Sequence, residues 1–155
     1  MTRNRLILVA AGGSAALMLG ALAFQHIGGM APCKLCIWQR WPHIAAIVIG
    51  LVSLPIPGRI LPLLGALAAA ATAAIGAYHT GVEQAWWEGP STCTSGGTEG
   101  LSPEQVLEQI LNAPLVRCNE IPWEMLGLSM AGWNMVISAG LTVVWLMAAR
   151  AGRIA

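Results

Sequence analysis

Four long apolar runs limit the possible folds of this sequence more than any other feature. They cover residues 6–24, 37–54, 60–78 and 129–149, and each approaches the roughly 20 residues with which a helix crosses a bilayer core. Only helices and closed barrels satisfy the backbone in lipid, and none of the runs alternates in polarity as a barrel strand does. The sequence therefore predicts an all-α membrane protein, with four transmembrane helices forming a single domain over residues 1–155.

Composition and spacing support this interpretation. Hydrophobic residues make up 56% of the chain and charged residues 10%, whereas soluble domains carry about 25% charge. The net charge of +1 provides no basic excess for nucleic acid, so no such partner is expected. Small residues at every fourth position predict helix-packing faces. These are Gly12, Ala16 and Gly20 in the first run and Gly65, Ala69, Ala73 and Ala77 in the third.

Arginines predict the orientation of the bundle. Five of them flank helix ends on one side, which the positive-inside rule assigns to the cytoplasm: Arg3, Arg5, Arg59, Arg150 and Arg153. The loops at about 25–36 and 79–128 lie on the other side, and the second contains all seven Glu residues. Both termini are therefore expected in the cytoplasm. Residues 21–23 (Ala-Leu-Ala) also imitate a signal-peptide cleavage site, and the loop after Phe24 faces outside in either case.

Two short amphipathic segments are expected in the long loop. Ser102, Pro103 and Gln105 have the spacing of an N-cap, a first helical residue and a capping box, and Pro114 ends this helix. A second amphipathic segment is expected from about Pro122 to Leu126, lying along the membrane interface.

The cysteines suggest redox chemistry. Cys33 and Cys36 form a C-x-x-C pair at the outer mouth of the second helix, and Cys93 and Cys118 lie in the long loop. All four are on the side where disulfides form. A helix N-terminus and a nearby cation stabilise a reactive thiolate, and Arg40 shares a helical face with Cys36. Because a charge inside a span indicates function, Arg40 is also a candidate to hold an oxygen of a lipid-soluble electron acceptor.

Other interpretations of the same residues stay open at this point. In one alternative, Arg40 extends to the lipid headgroups and Cys33–Cys36 is an inert staple of a scaffold protein. Zinc would need all four cysteines, but 24 residues separate the second pair and structural sites use short spacings, so no metal is expected. Covalent haem attachment is excluded because Ile37, not His, follows the C-x-x-C pair.

Histidines and tryptophans leave two further possibilities. Haem could be held by histidines across the bundle, whereas the alternative is that His26, His43 and His79 are simply interfacial. Most tryptophans are expected in the aromatic belt, and some could wall a pocket for a flat ring.

Longer motifs then resemble a known family. Residues 33–40 (CKLCIWQR) resemble the C-x-L-C-x-x-Q-R signature of disulfide bond formation protein B (DsbB). Residues 78–83 (YHTGVE) resemble the end of the family's third helix, and residues 87–90 (WEGP) are similar to the segment before its third cysteine. Cys118, with residues 121–123 and 126–130, resembles the entry to its fourth helix. The resemblance covers nearly the whole chain.

The resemblance implies a mechanism that spacing alone does not supply. It implies a protein-disulfide oxidoreductase of the bacterial inner membrane that reoxidises a periplasmic thioredoxin-fold oxidase (DsbA) and reduces ubiquinone or menaquinone. The redox-active disulfides would be Cys33–Cys36 and Cys93–Cys118. Cys93 would capture DsbA, Cys118 would then attack Cys33, and Cys36 would face the quinone.

The same resemblance assigns Arg40 to assist Cys36 and His79 to lie near the quinone. Arg117, beside Cys118, would favour its thiolate. Lys34 departs from the family, in which apolar residues are common between the first two cysteines, and this departure leaves the identity of the partner open.

Overall fold

The computed structural model describes residues 1–90, 102–104, 107 and 117–152. Within them, four helices are long and apolar enough to cross a membrane. They are α1 (Arg3–His26), α2 (Lys34–Ser53), α3 (Ile60–Glu83) and α4 (Met130–Ala151). The predicted all-α, four-helix membrane fold is confirmed.

Helices α2 and α3 extend furthest beyond the apolar runs at the end of the bundle that carries the cysteines. Helix α2 begins at Lys34 because Cys33 is its N-cap, where the Cys33 side chain accepts a hydrogen bond from the Cys36 backbone N–H. Helix α3 continues to Glu83, since polar side chains end an apolar run without ending a helix. His79 and Glu83 are therefore on the helix and not in the loop that was expected to begin at residue 79.

The expected amphipathic helix at 122–126 is wrong. A small antiparallel hairpin occupies this region, with β1 (Glu124–Met125) paired to β2 (Leu128–Ser129). The two turn residues, Leu126 and Gly127, have φ angles of 54° and 77°, the left-handed backbone that a tight two-residue hairpin turn requires. Of the other expected helix, Pro103 and Glu104 are helical directly after Ser102, whereas Gln105 and Pro114 lie outside the described residues.

Trp145 of α4 fills the centre of the main core and is fully buried. A Cβ atom at Gly65 of α3 would lie only 2.6 Å from the indole ring, so glycine is what lets the ring pack there. Gly65 thus confirms part of the predicted face on α3. The predicted face on α1 is wrong, because no atom of the described residues lies within 4 Å of a Cβ position at Gly12 or Gly20. Helix α1 packs instead through its buried residues, Leu6, Ile7, Ala10 and Ser14.

Arg3 ties together one end of the bundle. Its guanidinium donates to the backbone carbonyl oxygens of Ser53 at 2.9 Å, Ile56 at 2.8 Å and Gly58 at 3.1 Å, which satisfies acceptors left at the end of α2. A Cβ at Gly152 would lie 2.9 Å from the Gly58 carbonyl oxygen, so the end of α4 is here too. The start of α2, with its cysteines, is at the opposite end.

Candidate redox site

Two thiols lie side by side where α2 begins. Cys33 and Cys36 are not bonded to one another, and their sulfur atoms are 2.7 Å apart, so a small movement would bring them to the roughly 2.05 Å of a disulfide. The Cys36 N–H donates to the Cys33 Sγ at 3.2 Å. The hydrogen bond to Cys36 and burial together raise the pKa of the Cys33 thiol. Cys33 therefore keeps its proton more firmly than an ordinary cysteine does.

His79 of α3 lies next to these thiols. Its Nε2 atom is 3.5 Å from the Cys33 Sγ and 3.8 Å from the Glu83 Oε1. The residue is 3% exposed and His43 is 4% exposed, so both side chains lie inside the bundle, whereas His26 is exposed. The buried Glu83 side chain in turn accepts a short hydrogen bond from the Ser129 hydroxyl.

Two amides connect the histidines across the bundle. The Asn134 Nδ2 donates to the Gln39 Oε1 at 2.6 Å, and the Asn134 Oδ1 accepts from the His43 Nε2 at 2.8 Å. The Gln39 Nε2 then faces the His79 Nδ1 at 2.9 Å. Because an amide nitrogen only donates, this pattern assigns the His79 proton to Nε2, the atom that faces Cys33.

Gln39, Asn134 and Glu83 were not predicted as site residues, although Gln39 lies inside the C-x-L-C-x-x-Q-R motif, and His43 was considered only as a haem ligand or an interfacial residue. A signal was present: polar and ionisable side chains within membrane helices are rare and tend to be functional. Gln39 and His43 lie within an apolar run, as does Asn134. The sequence does not show which of these side chains form hydrogen bonds with one another.

A cavity of about 180 Å³ opens beside the thiols between α1, α2 and α4. A cavity of roughly 150 Å³ is large enough to bind benzene, so a single ring fits. Its walls are mostly apolar, but its lining includes Cys36, Gln39, Arg40, His43, His79 and Asn134. The expectation that tryptophans wall a ring pocket does not hold for this cavity, where Leu17, Met18 and Phe24 take that place.

The Arg40 side chain brings a buried hydrogen-bond donor to this cavity. Its Nε atom is buried and has no hydrogen-bond partner among the residues that the structure describes. A buried donor without a partner is costly, and Arg40 lines the cavity together with Cys36. The cavity therefore combines a thiol with an N–H group that can serve an acceptor atom.

The second pair of cysteines is only partly described. Cys118 is disulfide-bonded and 2% exposed, and it belongs to one buried cluster with Cys33, Leu35 and Val82. Cys93 lies outside the described residues, so the Cys93–Cys118 pairing stays a prediction. Arg117, beside Cys118, lies 3.9 Å from Glu120, and both are exposed.

A metal ion is one possible occupant of the thiol site. The ligand atoms of Cys33, Cys36 and His79 lie within 4.8 Å of one another. However, the Gln39 amide donates to the His79 Nδ1, so the His79 proton is on Nε2, the nitrogen that faces the thiols. A histidine nitrogen binds a metal only when it is unprotonated. The hydrogen-bond network thus opposes metal binding and favours a histidine that donates to sulfur.

Taken together, a four-helix membrane bundle, two adjacent thiols and a ring-sized cavity define a membrane thiol–disulfide redox protein. Comparison with known proteins agrees: the family Disulfide bond formation protein DsbB matches residues 3–148. The chain belongs to this family, which confirms the resemblance seen in its motifs and supports a role in disulfide formation.

Individual relatives support the assignment. Disulfide bond formation protein B of Stutzerimonas stutzeri (strain A1501) is 33% identical, over 91% of each chain. Disulfide bond formation protein B 2 of Pseudomonas aeruginosa PAO1 is 34% identical, over 81% of this chain and 78% of its own. The protein from Shewanella sp. (strain MR-4) is 30% identical, over 90% and 83%. No solved structure matches the chain.

Proposed function

We propose that the protein is a quinone-dependent thiol oxidase of the bacterial inner membrane that reoxidises a DsbA-like periplasmic protein. The observation that carries this proposal is that Cys36 and Arg40 line the same apolar cavity, and that the Arg40 N–H group has no partner in the described part of the chain. A membrane quinone, either ubiquinone or menaquinone, has the matching chemistry, with a flat apolar ring and carbonyl oxygens that accept hydrogen bonds. In this proposal the cysteines face the periplasm and both termini the cytoplasm.

Each half of the reaction conserves atoms and electrons. Two thiols, Cys33 and Cys36, lose two electrons and two protons as their disulfide forms. A bound quinone would supply the oxidising power, as the acceptor of both electrons and both protons. Arg40 would hold a carbonyl oxygen of the ring through its N–H group, while the raised pKa of Cys33 keeps the proton on that sulfur and leaves Cys36 as the thiolate on the cavity side.

The disulfide is reduced again by exchange with the second pair of cysteines. A thiolate of the reduced partner attacks the Cys93 sulfur, which breaks the Cys93–Cys118 bond and releases Cys118, and Cys118 then attacks Cys33, which frees Cys36. The partner's second thiol displaces Cys93 and leaves as the oxidised partner, and Cys93 attacks Cys118, which restores the Cys93–Cys118 disulfide and frees Cys33. The common buried cluster of Cys33 and Cys118 supports this order, because exchange needs the two sulfurs to meet. His79, which donates to the Cys33 sulfur, would help to place that sulfur during the exchange.

The test is an assay with purified protein, reduced DsbA and a short-chain ubiquinone. We expect the quinone absorbance to bleach as DsbA is oxidised, and Cys36→Ser to abolish the bleaching. With oxidised DsbA, Cys118→Ser should accumulate a mixed disulfide, because the free Cys93 thiolate opens the DsbA disulfide and the resolving thiol is missing. Absence of bleaching with a competent partner would favour the scaffold interpretation, in which both disulfides are structural. Trapping of DsbA through Cys118 in Cys93→Ser would reverse the proposed order.

A further inference from the structure

We propose that His43 recognises the reduced ring, accepting a hydrogen bond from a hydroxyl group of the hydroquinone in the cavity. This inference rests on the proposed function and goes beyond it, because it assigns a binding preference to a residue outside the cysteine motif. It would make the cavity more complementary to the product of quinone reduction than to the substrate.

The neighbours of His43 determine what its ring can offer. The Asn134 Nδ2 is committed as a donor to the Gln39 Oε1 at 2.6 Å and lies 3.1 Å from the Thr72 Oγ1. The Asn134 Oδ1 is therefore the atom that faces the His43 Nε2 at 2.8 Å, so Nε2 carries the proton. In the neutral ring the other nitrogen, Nδ1, is then an acceptor.

That acceptor has no partner among the described residues. The His43 Nδ1 is buried and makes no hydrogen bond there, the residue is 4% exposed, and it lines the cavity. Arg40, one helical turn earlier on the same face, contributes the unpartnered Nε–H group to the same lining. Leaving either atom unpaired in a buried place costs free energy, so the best occupant supplies one acceptor and one donor.

The quinone and hydroquinone forms of the ring differ in the hydrogen-bond donors that they offer. A quinone has two carbonyl acceptors and no donor, so it can pair with Arg40 but not with the His43 Nδ1. A hydroquinone has two hydroxyl groups, each of which can donate and accept, so it can pair with both. The extra hydrogen bond favours the reduced ring and thus the direction in which the two thiols become a disulfide.

The experiment measures binding without turnover. A background variant with Cys33→Ala and Cys36→Ala removes electron exchange with the ring, and anaerobic equilibrium dialysis in lipid nanodiscs then compares short-chain ubiquinone with its hydroquinone. In this background we expect His43→Leu to weaken hydroquinone binding about fivefold, the typical effect of one lost hydrogen bond. Quinone binding should change by less than about twofold.

Three further variants sharpen the comparison. His43→Gln should restore hydroquinone binding, because the amide can donate to Asn134 and still accept from the ring. Asn134→Leu should weaken the preference for hydroquinone with His43 present, because the His43 proton can then move from Nε2 to Nδ1. This variant tests the same inference if His43→Leu does not fold. The matched control is His26→Leu, an exposed histidine outside the cavity lining, which should leave both affinities unchanged.

The outcomes separate the two proposals. If the background protein binds both rings and His43→Leu weakens them equally, or weakens neither, the role of His43 is refuted and the proposed function stands. If Asn134→Leu keeps the full preference for hydroquinone, the tautomer argument is refuted. If neither ring binds to the background protein, both the quinone cavity and the inference fail.

Discussion

Replacing Gln39 by leucine should lower the reduction potential of the Cys33–Cys36 pair. Leucine has a similar size but no donor for the His79 Nδ1, which now receives a hydrogen bond of 2.9 Å. The His79 proton would no longer be held on Nε2, 3.5 Å from the Cys33 sulfur. That N–H group stabilises the reduced pair more than the disulfide, because a thiol or thiolate sulfur is the better acceptor.

The magnitude follows from the single hydrogen bond at risk. A net value of about 1 kcal/mol corresponds to about 20 mV for a two-electron couple, at about 30 mV per 1.4 kcal/mol. The potential should therefore fall by about 20 mV. The fold should survive, since Asn134 keeps Thr72 as a partner at 3.1 Å.

The assay equilibrates the purified protein in dithiothreitol redox buffers, alkylates the remaining thiols and quantifies both cysteines by mass spectrometry. The matched control is Thr142→Val, which removes a membrane hydroxyl that donates to the Ser138 carbonyl oxygen of its own helix, at 2.9 Å. An unchanged potential in Gln39→Leu, with the Thr142→Val potential equal to that of the wild type, would show that the amide does not control the thiols through His79.

Three further outcomes are expected. Arg40→Lys should raise the quinone concentration that gives half-maximal rate and Arg40→Ala should raise it more, because lysine lacks the planar fork; unchanged kinetics in both would make Arg40 merely interfacial. In the reduced protein, iodoacetamide should modify Cys36 before Cys33, since a raised pKa leaves less thiolate on Cys33 at a given pH, and peptide mapping checks the order. Topology reporters should show a fusion after Arg153 in the cytoplasm and an insertion near Gly97 in the periplasm, and the opposite signals would reverse the proposed orientation.

The sequence predicted what depends on local chemistry. Run length and hydrophobicity are enough to predict spanning helices, because lipid leaves few other ways to satisfy a backbone. The C-x-x-C spacing predicted a thiol pair at a helix start, and Arg40 drew attention as a charge inside a span. Each of these features is contained within a few consecutive residues.

The polar network could not be predicted in the same way. His43 and Asn134 are 91 positions apart, and their contact depends on how α2 and α4 are rotated about their axes. Helices in lipid are apolar on their outer faces as well, so the pattern gives little information about rotation. The wrong packing face on α1 has the same cause, since Gly12 and Gly20 are as acceptable toward lipid as toward a helix.

The β1–β2 hairpin could not be predicted from the sequence for a different reason. Gly127 is a usual residue for a left-handed turn position, but Leu126 is not, and it still adopts a φ of 54°. Pairing of β1 with β2 and the N-cap of α4, where the Ser129 side chain accepts from the Gly132 N–H, determine this conformation together. The requirement comes from the neighbouring elements and not from the two turn residues.

Close packing of α3 against α4 is what makes the network possible. A Cβ atom at Gly76 would lie 3.1 Å from both the Ala131 carbonyl oxygen and the Met135 backbone nitrogen, so a larger residue would push the two backbones apart by a few tenths of an ångström. This contact between the two helices is next to Asn134, whose short side chain must reach both Gln39 and Thr72. A wider spacing would leave these amides unpaired in lipid, where water cannot replace the lost partners. The small residues of α3 therefore do more than pack the bundle, because they hold the donors and acceptors that orient His79 toward the thiols.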